Sequence, residues 1–74
     1  MFNTVKEIIA EELGIDSEEI DEDSRLMEDL GADSLELVEI VMAVEEAFGS
    51  ELPDEEIPSI RTVRDLMDLA EDNS

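Results

Sequence analysis

The strongest constraint on how this chain can fold is an apolar rhythm that recurs three times with the period of a helix. Val5, Ile8, Ile9 and Leu13 share one face of a segment from Phe2 to Leu13, while Glu7, Glu11 and Glu12 fall largely outside it. Leu37, Ile40, Val41, Val44 and Phe48 gather into one arc of a segment from about Leu35 to Phe48. Val63, Leu66, Met67 and Ala70 do the same near the end, with Leu69 at the edge of the stripe and a polar tail, Glu71 to Ser74, expected to fray.

Local signals bracket these segments. Thr4-Val5-Lys6-Glu7 fits a capping box for the first helix, and Gly14 stops it. Asp33 can cap the second by accepting a backbone N–H, Gly31 allows a sharp turn before it, and Gly49 ends it. Thr62, with Asp65 three residues on, is a capping-box start for the last. Between the second and last segments, Pro53 followed by acidic residues marks a helix start, but Pro58 cannot donate a backbone bond and disfavours helix at Ile57. Any helix there is very short. The expected fold is therefore all-α: a small four-helix bundle of three main helices, one very short helix and a long first loop.

That loop runs from Ile15 to Asp33, and a structureless connection of such length is unusual in a compact domain. A helical turn near Ser17 to Ile20 is expected, with Ile15, Ile20, Leu26, Met27 and Leu30 pinning the rest onto the bundle. Asp21-Glu22-Asp23 invites a calcium-loop comparison, but Leu26 stands where the sixth-position glycine belongs, and no dedicated metal site is expected.

Composition then narrows function. Residues 1–74 suffice for one domain, with no room for a second core. With 24 acidic against 4 basic residues, a net charge of −20 repels nucleic acid and anionic lipid and steers toward basic protein patches. A hydrophobic content of 42% in periodic segments argues against disorder. The absence of cysteine and histidine excludes disulfides, zinc clusters, a thiol nucleophile and a Ser-His-Asp triad, so an enzyme is not expected. No basic region leads into an apolar run and no segment reaches the length of a membrane span; a soluble, cytoplasmic monomer is expected.

Ser34 sits where the loop meets the second helix. A hydroxyl presented at a helix N-terminus is a favourable place for phosphate, since free N–H groups and the helix dipole both favour negative charge. The dipeptide Asp33-Ser34 alone fits a simple N-cap as well.

The wider string Glu28-Asp29-Leu30-Gly31-Ala32-Asp33-Ser34-Leu35 resembles the attachment motif of acyl carrier proteins of the bacterial fatty-acid type, and Thr62-Val63-Arg64-Asp65 resembles that family's final-helix entry. The resemblance covers essentially the whole chain, although Pro58 departs from many members. It implies that a phosphopantetheinyl transferase attaches 4′-phosphopantetheine to Ser34, flanked by Asp33 and Leu35. Acyl chains would then ride on that arm as thioesters between fatty-acid-synthesis enzymes. It further implies a partner face of Glu36, Glu39, Met42, Glu45 and Glu46, and an acyl pocket lined by Leu26, Val44, Leu52 and Ile60. A nearly all-aliphatic core, in a chain with four Met and only two Phe, suits such a pocket. The alternatives are a carrier for a polyketide, lipid A precursor or D-alanyl pathway, or an unmodified acidic interaction module.

Overall fold

The computed structural model describes residues 1–73. Helix α1 spans Phe2–Leu13, α2 spans Ser34–Phe48 and α3 spans Val63–Asp72. A 3-10 turn at Ser17–Glu19 interrupts the first loop, and a six-residue 3-10 helix, Asp54–Ser59, joins α2 to α3. Among the described residues there is no strand, only an isolated antiparallel bridge between Arg25 and Thr62. No helix among the described residues is long and apolar enough to cross a membrane.

Helix α1 packs against α2, α3 and the first 3-10 turn, and α2 packs against α3. The expected arcs face inward: Val5 and Ile9 from α1, Leu37, Ile40, Val41 and Val44 from α2, and Val63, Leu66, Met67 and Ala70 from α3 are all buried. Full burial of a Val, Leu or Ile side chain contributes roughly 1.5–3 kcal/mol, so these arcs supply most of what holds so small a domain together. Ile8, Leu13, Phe48 and Leu69 are partly buried at the margins of the same core.

Both glycine stops adopt the left-handed conformation that a side chain disfavours, Gly14 at φ 68° and Gly49 at φ 65°. At the other end of α1 the sequence signal misleads. The helix begins at Phe2, with Met1 as a cap lacking a side-chain bond, so Thr4 lies inside the first turn and caps nothing. The Val5 N–H already bonds to the Met1 carbonyl at 3.0 Å, which starts the helical ladder earlier than a Thr4 cap would allow.

The first loop is held more firmly than its polar composition implies. Ile20 and Leu26 are buried, and Ile15 and Leu30 pack against the core, but Met27 is 46% exposed and does not pin the loop. Hydrogen bonds to the start of α3 take up the rest. Leu26 N–H donates to Arg61 O at 2.8 Å, Val63 N–H to Ser24 O at 3.1 Å and Arg64 N–H to Glu22 O at 2.8 Å.

Pro58 is accommodated inside the Asp54–Ser59 helix. Neighbouring bonds run from Glu56 N–H to Pro53 O and from Ile60 N–H to Ile57 O, so the missing proline donor falls between them. At the far end, α3 is closed at Asn73, whose backbone N–H and side-chain amide both donate to Leu69 O, at 3.2 and 2.9 Å. Ser74, the last residue of the expected polar tail, lies outside the described residues.

Candidate functional site

The approach to Ser34 is fixed residue by residue. Asp29 accepts from the Arg25 backbone N–H at 2.9 Å and from its guanidinium at 3.2 Å through both Nε and Nη2, which closes a tight turn. Leu30 N–H donates to Arg25 O, and Ala32, buried, donates its N–H to Leu26 O at 2.9 Å. Gly31 between them turns at φ 79°, open to glycine and strained for other residues.

Asp33 then caps α2. Its Oδ1 accepts from Glu36 N–H at 2.7 Å while Glu36 Oε1 accepts from Asp33 N–H at 3.1 Å, a complete capping box. Ser34 is the first residue of the helix and exposed. Among the described residues, the N–H groups of Ser34 and Leu35 have no hydrogen-bond partner. A phosphate ester at this hydroxyl would meet solvent and the positive end of the helix dipole, so a phosphate-linked group fits without displacing any packed side chain.

From Ser34, α2 carries an outward strip of Leu35, Val38 and Met42, exposed by 66%, 39% and 60% respectively. Glu39 and Glu46 are exposed beside it. The other two glutamates expected on this face have structural duties. Glu36 closes the capping box, and Glu45, partly buried, accepts from the Leu52 N–H at 2.7 Å across the exit of α2. Only the tertiary fold brings Leu52 back to Glu45, seven positions earlier, so no local signal could have revealed this bond.

Carboxylates dominate the field here. Glu12 of α1 faces Glu39 and Glu36 of α2; partial desolvation, a hydrogen bond with Glu39 and repulsion from these neighbours raise its pKa. Asp29 is lowered, chiefly by its hydrogen bonds from Arg25, whose own pKa is raised by the same partnership.

The four residues expected to line an acyl pocket, Leu26, Val44, Leu52 and Ile60, all lie in the core, none more than 6% exposed. A separate cavity of about 180 Å³ opens between the first loop and the 3-10 helix. It shares only Ile60 with that set and is otherwise lined by Met27, Leu37 and Pro58, with Arg25, Glu28 and Arg61 at polar positions. The arginines gave no sequence signal, because their positions become neighbours only when the loop docks on α3.

Known proteins resemble this chain in sequence and fold. Residues 3–70 match the phosphopantetheine attachment site family. The chain is 49% identical over 73 residues to the acyl carrier protein of Wolinella succinogenes, covering 99% of this chain and 96% of that protein. It is 52% identical over 69 residues to that of Syntrophobacter fumaroxidans, covering 93% and 85%. Its fold superposes with a TM-score of 0.83 on the crystal structure of the Thermotoga maritima acyl carrier protein, at 38% identity over 96% of this chain and 82% of that one. A doublet acyl carrier protein from prodigiosin biosynthesis gives 0.87 at 29% identity, over 99% of this chain and 35% of that one. The family match across residues 3–70, together with 49% identity over nearly the whole length of a curated relative, places the chain in the acyl carrier protein family, whose members are non-catalytic carriers.

Proposed function

We propose that Ser34 bears the 4′-phosphopantetheine arm, and that the chain acts as a single monomeric carrier domain passing growing fatty acyl chains among the cytoplasmic enzymes that synthesise them. The observation that supports this best is an exposed serine hydroxyl at the first position of a capped helix, inside the span that matches the attachment-site family. When bound, the arm supplies the thiol that a cysteine-free chain lacks. The chain's residues present and select. Asp33 and the Gly31 turn hold Ser34 out to the transferase. Leu35 and Met42 offer apolar contact, and Glu39 and Glu46 attract basic patches on partner enzymes. Glu36 and Glu45 contribute to the same field while holding the helix ends.

Leu26, Val44, Leu52 and Ile60 are the residues we expect an acyl chain to part, because a wholly aliphatic neighbourhood yields to an apolar guest with the least loss. The fatty-acid branch is favoured over specialised pathways by the Gly31-Ala32-Asp33-Ser34-Leu35 string together with the dense acidic face of α2.

Incubation with coenzyme A and a phosphopantetheinyl transferase tests the assignment. Intact mass should rise by one phosphopantetheine group, and Ser34→Ala should abolish the gain. A folded wild-type chain that a competent transferase leaves unmodified would refute it.

A further inference from the structure

The chain has four basic side chains against 24 acidic ones, so where each cation finds its counter-charge is informative. Lys6 lies over the Phe2 ring on α1. Arg64 is held by Asp23 at 2.7 Å and Glu22 at 3.8 Å. Arg25 is held by Glu28 and Asp29.

Arg61 is different. Its side chain is 76% exposed, and the one carboxylate within reach among the described residues, Glu28, stands 4.0 Å away with its other oxygen already taken by Arg25. The guanidinium makes no hydrogen bond among the described residues, so its forked donors are the least used in the molecule. Arg61 also lines the 180 Å³ cavity, whose apolar lining comes from Met27, Leu37, Pro58 and Ile60.

Leu37 follows Ser34 by three residues on α2. At about 1.5 Å of rise per residue, the cavity wall lies some 4.5 Å along the helix from the attachment hydroxyl and on a neighbouring face. A group tethered at Ser34 can therefore fold back across it. The volume admits only a short guest, since each water in the liquid takes about 30 Å³.

We propose that this cavity seats short acyl groups that end in a carboxylate, their methylenes over Leu37, Pro58 and Ile60 and their carboxylate paired with Arg61. The proposal rests on the carrier role of Ser34. A planar guanidinium suits a carboxylate better than any other terminal group an acyl chain commonly bears. Glu28, which lines the same cavity 4.0 Å from Arg61, opposes a charged guest at short range, though its charge is shared with Arg25; carboxylates beyond about 8 Å are largely screened at physiological salt, whereas a contact pair with Arg61 is not.

The test compares two cargoes of equal length. A promiscuous transferase loads wild-type, Arg61→Gln and Lys6→Gln chains from the coenzyme A thioesters of butanoic acid and of butanedioic acid (one carboxyl left free), and intact mass verifies loading. In wild-type and Lys6→Gln, the carboxylate-ended cargo should raise the melting temperature above that of its neutral counterpart by about 1–8 °C, the range of one partly exposed ion pair in a domain of this size. Methyl resonances of Leu37 and Ile60 should shift with it. In Arg61→Gln the advantage should vanish. Loaded wild-type protein showing no advantage, or an advantage that survives Arg61→Gln, overturns the proposal. A chain that gains no mass at Ser34 overturns instead the carrier role beneath it.

Discussion

Asp33→Ala removes the side-chain half of the bond that starts α2. The structure gives that bond at 2.7 Å to Glu36 N–H, with the reciprocal bond from Asp33 N–H to Glu36 at 3.1 Å. Replacing an aspartate cap by alanine costs about 0.5–2 kcal/mol, typically near 1. Because Asp33 is exposed, water can reach the one donor released, the Glu36 N–H, which keeps the loss near the middle of that range. For a domain of this length, a loss of about 1 kcal/mol corresponds to a fall in melting temperature of roughly 4–8 °C.

Asp33→Asn separates the two contributions of the carboxylate. The amide oxygen still caps, whereas the charge and its favourable place near the helix dipole are gone, an effect of about 0.3–1 kcal/mol that relief of acidic repulsion partly offsets. Thermal melts of the three proteins in one buffer, with amide exchange at Glu36 and Leu37, provide the assay. The expected order is wild-type near Asp33→Asn, both above Asp33→Ala, with faster exchange in the alanine variant. Modification of Ser34 should slow in step with exchange, because a frayed first turn no longer holds the hydroxyl in place. An alanine variant that melts with wild-type, or an asparagine variant that falls as far as alanine, would refute capping as what positions Ser34.

Other outcomes follow from the same geometry. With a net charge of −20, added salt or millimolar divalent cations should raise the melting temperature, and a melt insensitive to both would count against self-repulsion as a cost. Glu12 has a raised folded pKa, so its contribution is favourable at low pH and is lost as pH rises through that value; Glu12→Gln should melt higher than wild-type at pH 7, with the gap closing near pH 4. Asp29 has the opposite sign, its stabilisation being present above the ordinary carboxylate range and lost as pH falls through the lowered value, so Asp29→Asn should flatten the acid limb of a pH titration of stability. Ser50 is 6% exposed and its Oγ has no partner among the described residues, so Ser50→Ala should be neutral or stabilising by up to about 1 kcal/mol in urea denaturation; a clear loss would mean that the hydroxyl is bonded. Reversing Glu39 and Glu46 to lysine should slow acyl transfer at low salt without unfolding the domain, and undiminished transfer would remove them from the partner face.

The sequence alone determined the three main helices and singled out the serine now proposed as the attachment residue. Helical periodicity sorts Leu37, Ile40, Val41 and Val44 from Leu35, Val38 and Met42 because burial on a helix depends on angle about one axis, and angle is counted along the chain. Caps at Asp33 and Thr62 and stops at Gly14 and Gly49 are legible for the same reason, each being completed within a few residues. Even there a local pattern can be pre-empted, as when Met1 starts α1 ahead of Thr4.

What spans the chain was decided only by the tertiary structure. The clasp of Leu26, Ser24 and Glu22 on the start of α3, the exposure of Met27, the bond from Leu52 to Glu45 and the placing of Arg25 and Arg61 around one cavity all join residues from separate segments. Such contacts depend on how the packed helices bring distant loops together, and a polar residue in a loop carries no periodic mark of the partner it will meet.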